Sequence, residues 1–561
     1  MLCLTMQPCK LEPAKLATSV LLVFTGLPFL IWLPILYRYG VPFPIQDQWD
    51  TPYHAMVEAF SGRFNLETYW VQHNEARKVL PSAIWVTLAL ILGHWDAQAE
   101  VYLGFFLCLG LVYLLYRLAC VTSGFQRRDR AFLVFVFSWL LWSPLTWYFH
   151  TWGITFERLL PEAALLGGVL WFLLRHSIST LQALGFSALA ATGQYSFSGG
   201  VALYPLFGLL LLSDAVSRRT LKPLLTYIAL ASLSMALYFA GYRYPSGHTP
   251  LLAVLDQPLT SVFGFFLTVL GRSFSEEPHL AACMGGINLG LYALGTVRAW
   301  QADRRDRTAW AWMLIGGYAL MQALLATIGR LPMGMGHALR PDYVTYGTYL
   351  LVAGIALLQK APLKAMSHLG PILGTAMTGI AYAHISVLEQ MHTYHYRLLA
   401  EKSCLQLRLA FPGEYCQLTL YPHPELLLLK AKLASKLGVL VFPSISVQTQ
   451  AKGGFVERYQ AVSGGVQITG WAVAAGKEAD AVVFTLVKNT GCKLLAVLPT
   501  GHFRPDVAQA VGRNFAFAGW SGVLPVSVQE IGALRAYAFS ANKGFLVPIN
   551  WLRPDPPSPT Q

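Results

Sequence analysis

Long apolar segments alternate with short polar ones through the first 390 residues of the chain. A bilayer core holds no water to satisfy an irregular backbone, so such segments are expected to form membrane-spanning helices. The pattern therefore predicts a polytopic α-helical membrane protein of about 11 to 13 spans. The clearest segments lie near residues 16–37, 97–118, 131–148, 160–175, 181–195, 197–213, 222–241, 280–297, 308–328, 344–358 and 369–388.

Two further apolar segments, 79–93 and 258–271, are too short to be assigned from the pattern alone. If 79–93 crossed the membrane, the basic residues after the next span would move to the opposite side. We therefore predict that 79–93 lies in the membrane interface or re-enters it. The same alternatives stay open for 258–271.

The pattern changes near residue 445, where apolar and polar residues begin to alternate between glycine-rich turns. This alternation is typical of short antiparallel strands and predicts a C-terminal β-sandwich over residues 445–553. An amphipathic segment, 401–444, is expected to connect it to the membrane domain of residues 1–400. A proline-rich disordered tail is predicted over 554–561.

Composition agrees with a membrane protein. The chain is 55% hydrophobic and only 12% charged, whereas soluble domains carry about 25% charged residues. The first apolar segment is too long for a signal-peptide core and lacks a clear cleavage site, so it is expected to be retained as a span. The net charge of +13 comes from short basic clusters rather than a long basic stripe, which argues against a nucleic-acid partner.

These basic clusters orient the predicted spans. They precede the first span or follow the second, sixth, eighth and tenth, which places all of them on one side of the membrane. The positive-inside rule then predicts a cytoplasmic N-terminus and an extracytoplasmic C-terminal domain. The clusters contain Lys10, Lys15, Arg127, Arg128, Arg130, Arg218, Arg219, Lys222, Arg298, Arg304, Arg305, Arg307, Lys360 and Lys364.

The eight cysteines form no CxxC pair, which argues against a zinc site or a disulfide scaffold. Cys404 and Cys416 both fall in the part of the chain that is predicted to lie outside the cytoplasm. They could pair if that compartment is oxidising. Two unpaired cysteines are equally consistent with their spacing.

The first predicted external loop carries two carboxylates, Asp47 and Asp50, directly after the first span. In a helical turn the two share one face, where they could take a proton from a hydroxyl group or bind a divalent cation. The alternative is a solvated loop in which Asp50 caps a helix with Pro52 in its first turn. Spacing alone favours this alternative.

Later in the same loop, His73, Glu75 and Arg77 alternate. In an extended segment they share a face and could grip a phosphate while orienting an acid or base. The alternative is a salt-bridged strip in which Arg77 and Lys78 reach the lipid headgroups, and spacing favours it.

The loop GRLPMGMGHALRPDY adds Arg340, Asp342 and Tyr343 on the same predicted side. An external arginine is an exception to the positive-inside pattern, and lipid phosphate is the anion that it would suit. Pairing of Arg340 with Asp342 or with a headgroup explains it equally well.

Taken in order, these elements resemble those of the GT-C superfamily, in particular a group of bacterial multispan membrane proteins within the polyprenyl-phosphate-sugar-dependent glycosyltransferases. The last element departs from the adjacent Arg-Tyr pair of the family. The resemblance covers roughly residues 16–440. It is carried by QDQWD, His73-Asn74-Glu75-Ala76-Arg77, HTWGITFE, Ser196-Phe197-Ser198-Gly199-Gly200, and Arg340 with Tyr343.

The resemblance implies roles for these residues. Asp47 or Asp50 would activate the acceptor, and both would bind Mg²⁺ or Mn²⁺ if the enzyme were metal-dependent. Contacts to the acceptor or the sugar would come from Trp49, Trp152 and Glu157. The donor phosphate would be held by His73, Glu75, Arg77, Arg340 and Tyr343.

The resemblance also implies partners and a location. The donor would be a polyprenyl-phosphate-linked sugar, and the acceptor an extracytoplasmic glycan, lipid or protein. The protein would lie among the lipids of the bacterial inner membrane. One alternative is a flippase or transporter of lipid-linked glycans, which should carry charged residues within its spans. Another is a non-catalytic membrane protein that binds envelope glycan. The sequence favours the enzyme, because few ionisable residues fall within the apolar segments.

Overall fold

The computed structural model describes residues 13–245, 250–360, 364–411, 413, 415–488 and 491–551. The predicted disordered tail, 554–561, lies outside the described residues, as does Lys10 of the first basic cluster. The described part of the chain is mostly helical, with a strand-rich C-terminal region.

Nineteen α-helices are present in the described ranges. They are α1 (Pro13–Tyr39), α2 (Tyr53–Phe60), α3 (Leu66–Trp70), α4 (Val79–Leu92), α5 (Ala97–Val121), α6 (Arg127–Leu141), α7 (Trp147–Thr151), α8 (Phe156–Leu174), α9 (Thr180–Gln194), α10 (Leu203–Arg218), α11 (Lys222–Phe239), α12 (Leu259–Gly271), α13 (Pro278–Ala302), α14 (Arg307–Arg330), α15 (Tyr346–Gln359), α16 (Lys364–Ala383), α17 (Val387–Ala410), α18 (Pro424–Lys436) and α19 (Pro505–Ala510).

Twelve strands are found in the same ranges. They are β1 (Gln72–His73), β2 (Ala76–Arg77), β3 (Ser446–Val447), β4 (Gly454–Val462), β5 (Gly465–Ala474), β6 (Lys477–Glu478), β7 (Ala481–Lys488), β8 (Gly491–Leu498), β9 (Gly519–Leu524), β10 (Leu534–Ser540), β11 (Phe545–Pro548) and β12 (Asn550–Trp551).

The chain divides into two compact units that interleave along the sequence. The first contains Met1–Gly40, Leu66–Ile84 and Ala99–Leu388, and the second contains Val41–Asn65, Trp85–Gln98 and Glu389–Gln561. This division differs from the predicted domains, which assign both early segments of the second unit to the membrane domain. The predicted boundary at residue 400 also falls inside a helix, because α17 is continuous from Val387 to Ala410.

Each predicted spanning segment falls largely on helical structure, although 131–148 and 369–388 each cross a break between two helices. Six helical segments in the described ranges are long and apolar enough to cross a membrane, or up to eight if each of two bent helix pairs is one span. This confirms a helical membrane protein but does not reach the predicted number of spans. Three predicted spans are not among these helices. Two of them, α9 and α15, have only 15 and 14 residues, whereas a full span needs ~20. The third, α8, is less apolar because it contains Glu157, Arg158 and Glu162.

The two ambiguous segments form short apolar helices. α4 and α12 have 14 and 13 residues, so each rises about 20 Å, less than the roughly 30 Å of a hydrocarbon core. This length favours the interfacial or re-entrant interpretation for both.

Small residues bring α12 and α13 into close contact. A side chain at Gly271 would collide with the backbone of Ala281, and one at Gly285 would collide with the backbone of Leu267. Such glycines let helix backbones approach where apolar surroundings provide little other drive for association. The contact fixes the end of α12, next to the loop that leads into α15. That helix is itself buried continuously from Tyr346 to Leu358.

The C-terminal region contains two five-stranded sheets, with strand orders β3-β11-β10-β7-β8 and β12-β4-β5-β6, and β9 also pairs with β5. Residues from both sheets, among them Val466, Phe484 and Ala536, share one hydrophobic core. Trp520 belongs to this core and is 1% exposed. The predicted strand-rich C-terminal region is therefore confirmed.

Cys404 and Cys416 form a disulfide. The bond ties α17 to the segment that precedes α18. It decides between the two interpretations that the cysteine spacing left open. The other cysteines of the described ranges, Cys108, Cys120 and Cys283 with Cys492, are free thiols.

Candidate functional site

A group of five charged side chains lies in the first unit, between the start of α8 and the loop after α14, and all but one of them are largely buried. Arg158 donates to Oδ2 of Asp342 over 3.0 Å, and Arg340 donates to the same oxygen over 2.7 Å and 3.1 Å. A second pair beside it joins Lys78 to Glu157 over 3.0 Å. We call these five residues the Asp342 cluster.

The loop that carries Arg340 and Asp342 owes its path to residues that interrupt helices. α14 ends at Arg330, and three short 3-10 turns follow before α15. Gly334 has a φ of +115°, a backbone conformation that favours glycine. Pro341 lies between the two charged residues and lacks an N–H group, so it cannot extend a helix from the preceding turn. The loop thus places the Asp342 side chain inside the unit, 3% exposed, whereas the Arg340 side chain remains 41% exposed.

The Asp342 carboxylate is shared by two guanidinium groups. Burial alone would raise its pKa, but Arg158 and Arg340 outweigh burial and hold the pKa below its ordinary value. Asp342 in turn raises the pKa of Arg340. The three residues are therefore all charged at neutral pH and carry one net positive charge, in a place where only 3% of the Asp342 side chain is exposed.

Several polar atoms in and beside the cluster are buried without a hydrogen-bond partner in the described ranges. They are Nη1 of Arg158, Oε2 of Glu157 and Nε1 of Trp152. A buried polar group left unpaired typically costs about 1–3 kcal/mol, so such atoms are candidates for contact with a bound polar molecule. Trp152 and Glu157 are two of the residues that sequence analysis expects at the sugar or acceptor.

The family-like SF-x-x-G element also reaches this cluster. The guanidinium of Arg158 lies 4.4 Å from the centre of the Phe197 ring. Gly200 packs so closely against the backbone of Gly193 that no side chain would fit. Two sequence elements separated by about forty residues thus meet at Arg158, and the ring limits the directions in which its guanidinium can turn.

His73 and Glu75 lie on the β1–β2 hairpin of the first unit. Glu75 forms an ion pair with Arg330 at the end of α14. His73 lies within electrostatic range of Glu157. His73 thus lies near the Asp342 cluster, and the contact of both residues with a donor phosphate stays a prediction.

Arg77 has a different setting. Its guanidinium donates to three backbone carbonyls, those of Tyr238 at 2.8 Å, Trp70 at 2.6 Å and Ala240 at 2.7 Å. The side chain is buried. This geometry argues against the predicted phosphate contact and gives Arg77 a role in holding the hairpin to α3 and the end of α11.

Tyr343 lies in the wall of the loop. Its ring stacks on Tyr346, with 5.8 Å between the ring centres, and 6% of the residue is exposed. Burial raises the pKa of its hydroxyl. Tyr343 is therefore a neutral group at physiological pH, able to donate a hydrogen bond but not to supply charge.

The two predicted catalytic carboxylates belong to the second unit, and their settings differ. Oδ1 of Asp50 accepts hydrogen bonds from the Tyr421 hydroxyl at 2.5 Å and from Nζ of Lys430 at 3.0 Å. The Asp47 carboxylate is half-buried and has no hydrogen-bond or ion-pair partner in the described ranges. Of the two, Asp47 is the one available to accept a proton.

The alternative in which Asp50 caps a helix is wrong. α2 starts at Tyr53, and the residue at its N-cap position is Pro52, which provides no side-chain cap. Asp50 instead ends the short 3-10 turn Gln46–Trp49. A distant partner, Lys430, competes successfully for its side chain.

Trp49 is a core residue of the second unit. It has no exposed surface. Its ring contacts Phe43 and Trp95, and its Nε1 donates to the carbonyl of Pro44. This burial argues against the predicted contact between Trp49 and a sugar.

The predicted metal site at Asp47 and Asp50 finds no additional ligands in the described ranges. No group of three or more His, Cys, Asp or Glu side chains is arranged for a metal ion within the part of the chain that the structure describes. Asp47 and Asp50 would provide two carboxylates, and Lys430 already neutralises one of them. A divalent cation at this pair remains a prediction.

Sequence analysis did not propose Arg158 or Glu162 as site residues. Glu162 accepts hydrogen bonds from the hydroxyls of Thr345 at 2.7 Å and Tyr349 at 3.0 Å, and joins α8 to the start of α15. The usable signal was their position in an otherwise apolar helix, since ionisable residues at membrane depth usually have a specific partner or function.

Comparison with protein-family models, with curated proteins and with solved structures finds no match to this chain.

Proposed function

We propose that this protein is a membrane glycosyltransferase that moves a sugar from a polyprenyl-phosphate donor to an extracytoplasmic glycan, lipid or protein acceptor. The observation that carries the proposal is the Asp342 cluster. Two guanidinium groups share one carboxylate there, and Nη1 of Arg158 is buried without a partner in the described ranges. A net positive site of this kind suits an anion, and a lipid-linked sugar departs from a phosphate anion.

The reaction assigns a task to each group. Asp47 accepts the proton of the acceptor hydroxyl as its oxygen attacks C1 of the sugar. The bond between C1 and the phosphate oxygen breaks, and polyprenyl phosphate leaves with the bonding electron pair. Arg158 and Arg340 stabilise the charge that develops on that phosphate, for which the planar guanidinium is well suited.

The same proposal includes the finer architecture: a GT-C-like membrane domain of about 11 to 13 spans and an extracytoplasmic C-terminal β-sandwich. The shared core of the two sheets supports the sandwich. The Cys404–Cys416 disulfide supports an extracytoplasmic location for its segment, because such bonds persist in oxidising compartments. The N-terminus would then be cytoplasmic, in a bacterial inner membrane.

Sugar transfer by purified protein in liposomes, from a panel of polyprenyl-phosphate sugars, tests the proposal. We expect Asp47→Asn to lower kcat by about a hundredfold or more. Arg340→Gln should weaken the apparent affinity for the donor, since Arg340 is the more exposed of the two arginines. The control is Arg305→Gln, which removes an exposed arginine from the α13–α14 connection.

The outcomes separate the alternatives. Transfer that survives Asp47→Asn would remove the proposed base. Movement of the lipid-linked sugar across the liposome membrane without transfer would favour the flippase or transporter. Binding of glycan without either activity would favour the non-catalytic membrane protein.

A further inference from the structure

A cleft of about 910 Å³ lies in the first unit, beside the β1–β2 hairpin. One wall comes from α3 and the hairpin, and the other comes from the segment that follows α11. Trp70 and Gln72 belong to the first wall, and Arg243 and Tyr244 belong to the second. None of these four residues is assigned a role in the proposed transfer reaction.

The two walls are joined by the side chain of Gln72. Its Nε2 donates to the carbonyls of Asn74 and Arg243, at 2.7 Å and 2.5 Å, and its Oε1 accepts from the backbone N–H of Arg243 at 2.9 Å. Hydrogen bonds between the two walls thus preform the cleft. A preformed site binds with less loss of conformational entropy.

Two aromatic rings are exposed in this cleft. Trp70 is 36% exposed and Tyr244 is 45% exposed. The Trp70 ring is held by Tyr195, whose ring centre is 5.3 Å away, and by the guanidinium of Arg77 at 5.4 Å. A fixed indole face with exposed surface provides an apolar platform for the C–H face of a pyranose ring.

Arg243 adds charge to this platform. Its side chain is exposed, and its guanidinium has no hydrogen-bond or ion-pair partner within the described ranges. Arginine is suited to planar, two-point recognition of carboxylate and phosphate groups. The cleft therefore combines a ring-stacking surface with an exposed cation that can pair with an anion.

We infer that this cleft binds an anionic oligosaccharide, with a pyranose ring on Trp70 and Tyr244 and its acidic group on Arg243. The assignment of this saccharide as the acceptor rests on the proposed function, but its binding does not. Arg77 acts here as a positioning residue, because it fixes the Trp70 ring.

A lipid headgroup is the rival occupant, since exposed Leu66 and Val71 lie near Trp70 in the sequence and would suit an interface. The indole and phenol rings, together with the hydrogen bonds that join the two walls, favour a saccharide over a headgroup. The experiment includes an arm for each.

The test is isothermal titration calorimetry of the full-length protein in nanodiscs of zwitterionic lipid. The probes are tetragalacturonate, which is acidic, and cellotetraose, which is neutral. We expect tetragalacturonate to bind the wild type, and Trp70→Ala to weaken it about tenfold. Arg243→Gln should remove the preference for the acidic probe. The matched control is Trp300→Ala, because Trp300 is exposed to a similar extent, 39%, at another site.

Absence of tetragalacturonate binding by the wild type would overturn the inference, as would equal affinity in wild type and Trp70→Ala. Loss of binding in nanodiscs of anionic lipid would assign the cleft to headgroups and also overturn it. No donor is present, so binding that persists in a protein without transferase activity would retain the cleft and reject only the proposed function.

Discussion

At the scale of single residues, Asp47 and Asp50, the two carboxylates that follow α1, have different surroundings. Asp50 neutralises Lys430, whose side chain is only 9% exposed and also donates to the carbonyl of Trp49 at 2.6 Å. Asp47 has neither contact in the described ranges. The pair that the sequence treats as equivalent thus consists of a residue available for chemistry and one that maintains the fold.

We predict that Asp50→Asn destabilises the protein by about 2 kcal/mol, because the Lys430 ammonium keeps its buried position but loses the opposite charge. Asp47→Asn, three residues away, should leave stability unchanged. Thermal unfolding in detergent measures both variants. Equal unfolding midpoints for the two variants would contradict this assignment.

Asp342 gives a pH dependence to stability. Its pKa is lower in the folded protein than in the unfolded chain, so the stabilisation is complete above the ordinary pKa of 3.8. It is lost as the pH falls through the lower, folded pKa. We expect the thermal unfolding midpoint to decrease when the pH is lowered below about 4. The decrease should be smaller in Asp342→Asn. The same slope in both proteins would show that other carboxylates cause the effect.

At the scale of elements, the α12–α13 contact makes the sharpest prediction. A methyl group at Gly285 collides with the backbone of Leu267, whereas nothing lies within 4 Å of the equivalent position at Gly286. Gly285→Ala should therefore destabilise the protein by about 2 kcal/mol. Gly286→Ala should be neutral or slightly stabilising, because alanine favours a helix.

Unfolding midpoints of the two variants, measured side by side in detergent, test this contact. The adjacent position controls for the general effect of alanine in this helix. A loss of stability in both variants, or in neither, would show that the two helices do not approach as closely as the structure has them.

How far the elements follow from the sequence depends on which property defines them. The length of an apolar segment is a local property of the sequence, so the predicted spans fall largely on helices, although two of them cross a break between helices. The alternation after residue 445 likewise locates the strands. The burial of a helix on all sides, in contrast, depends on distant parts of the chain. In the sequence, α15 therefore looks like any other apolar segment, although it is buried on all sides in the structure. Long-range side-chain pairs are harder still to predict from the sequence, since Asp50 and Lys430, for example, are 380 residues apart.

The candidate site shows the same limit. Arg340, His73 and Glu75 could be proposed because they interrupt apolar sequence in short, unusual groups. Arg158 could not be separated from a generic juxtamembrane arginine until Asp342 was placed beside it, 184 residues later in the chain. Arg77 and Trp49 lie in motifs that suggest a binding role. In the structure, however, Arg77 donates to backbone carbonyls and Trp49 packs against neighbouring rings.

At the scale of the whole molecule, the disulfide predicts an orientation. In intact cells, a thiol reagent that cannot cross the inner membrane should label two additional cysteines after treatment with an impermeant reductant. The increment should vanish in the Cys404→Ser, Cys416→Ser double variant. An increment that appears only after the membrane is permeabilised would place this segment in the cytoplasm and contradict the proposed topology.

The interleaving of the two units has a consequence for how the protein is made. Residues 41–65 leave the ribosome early, but Asp50, Tyr53 and Gln46 find their partners at Lys430 and Leu420. The first external loop must therefore wait, unfinished, while more than 350 further residues are synthesised and inserted. During that interval it depends on chaperones or on the membrane surface for protection. Residues near the C-terminal region thus complete the fold of the loop that carries Asp47, so the late part of the chain is not an accessory to an already finished fold.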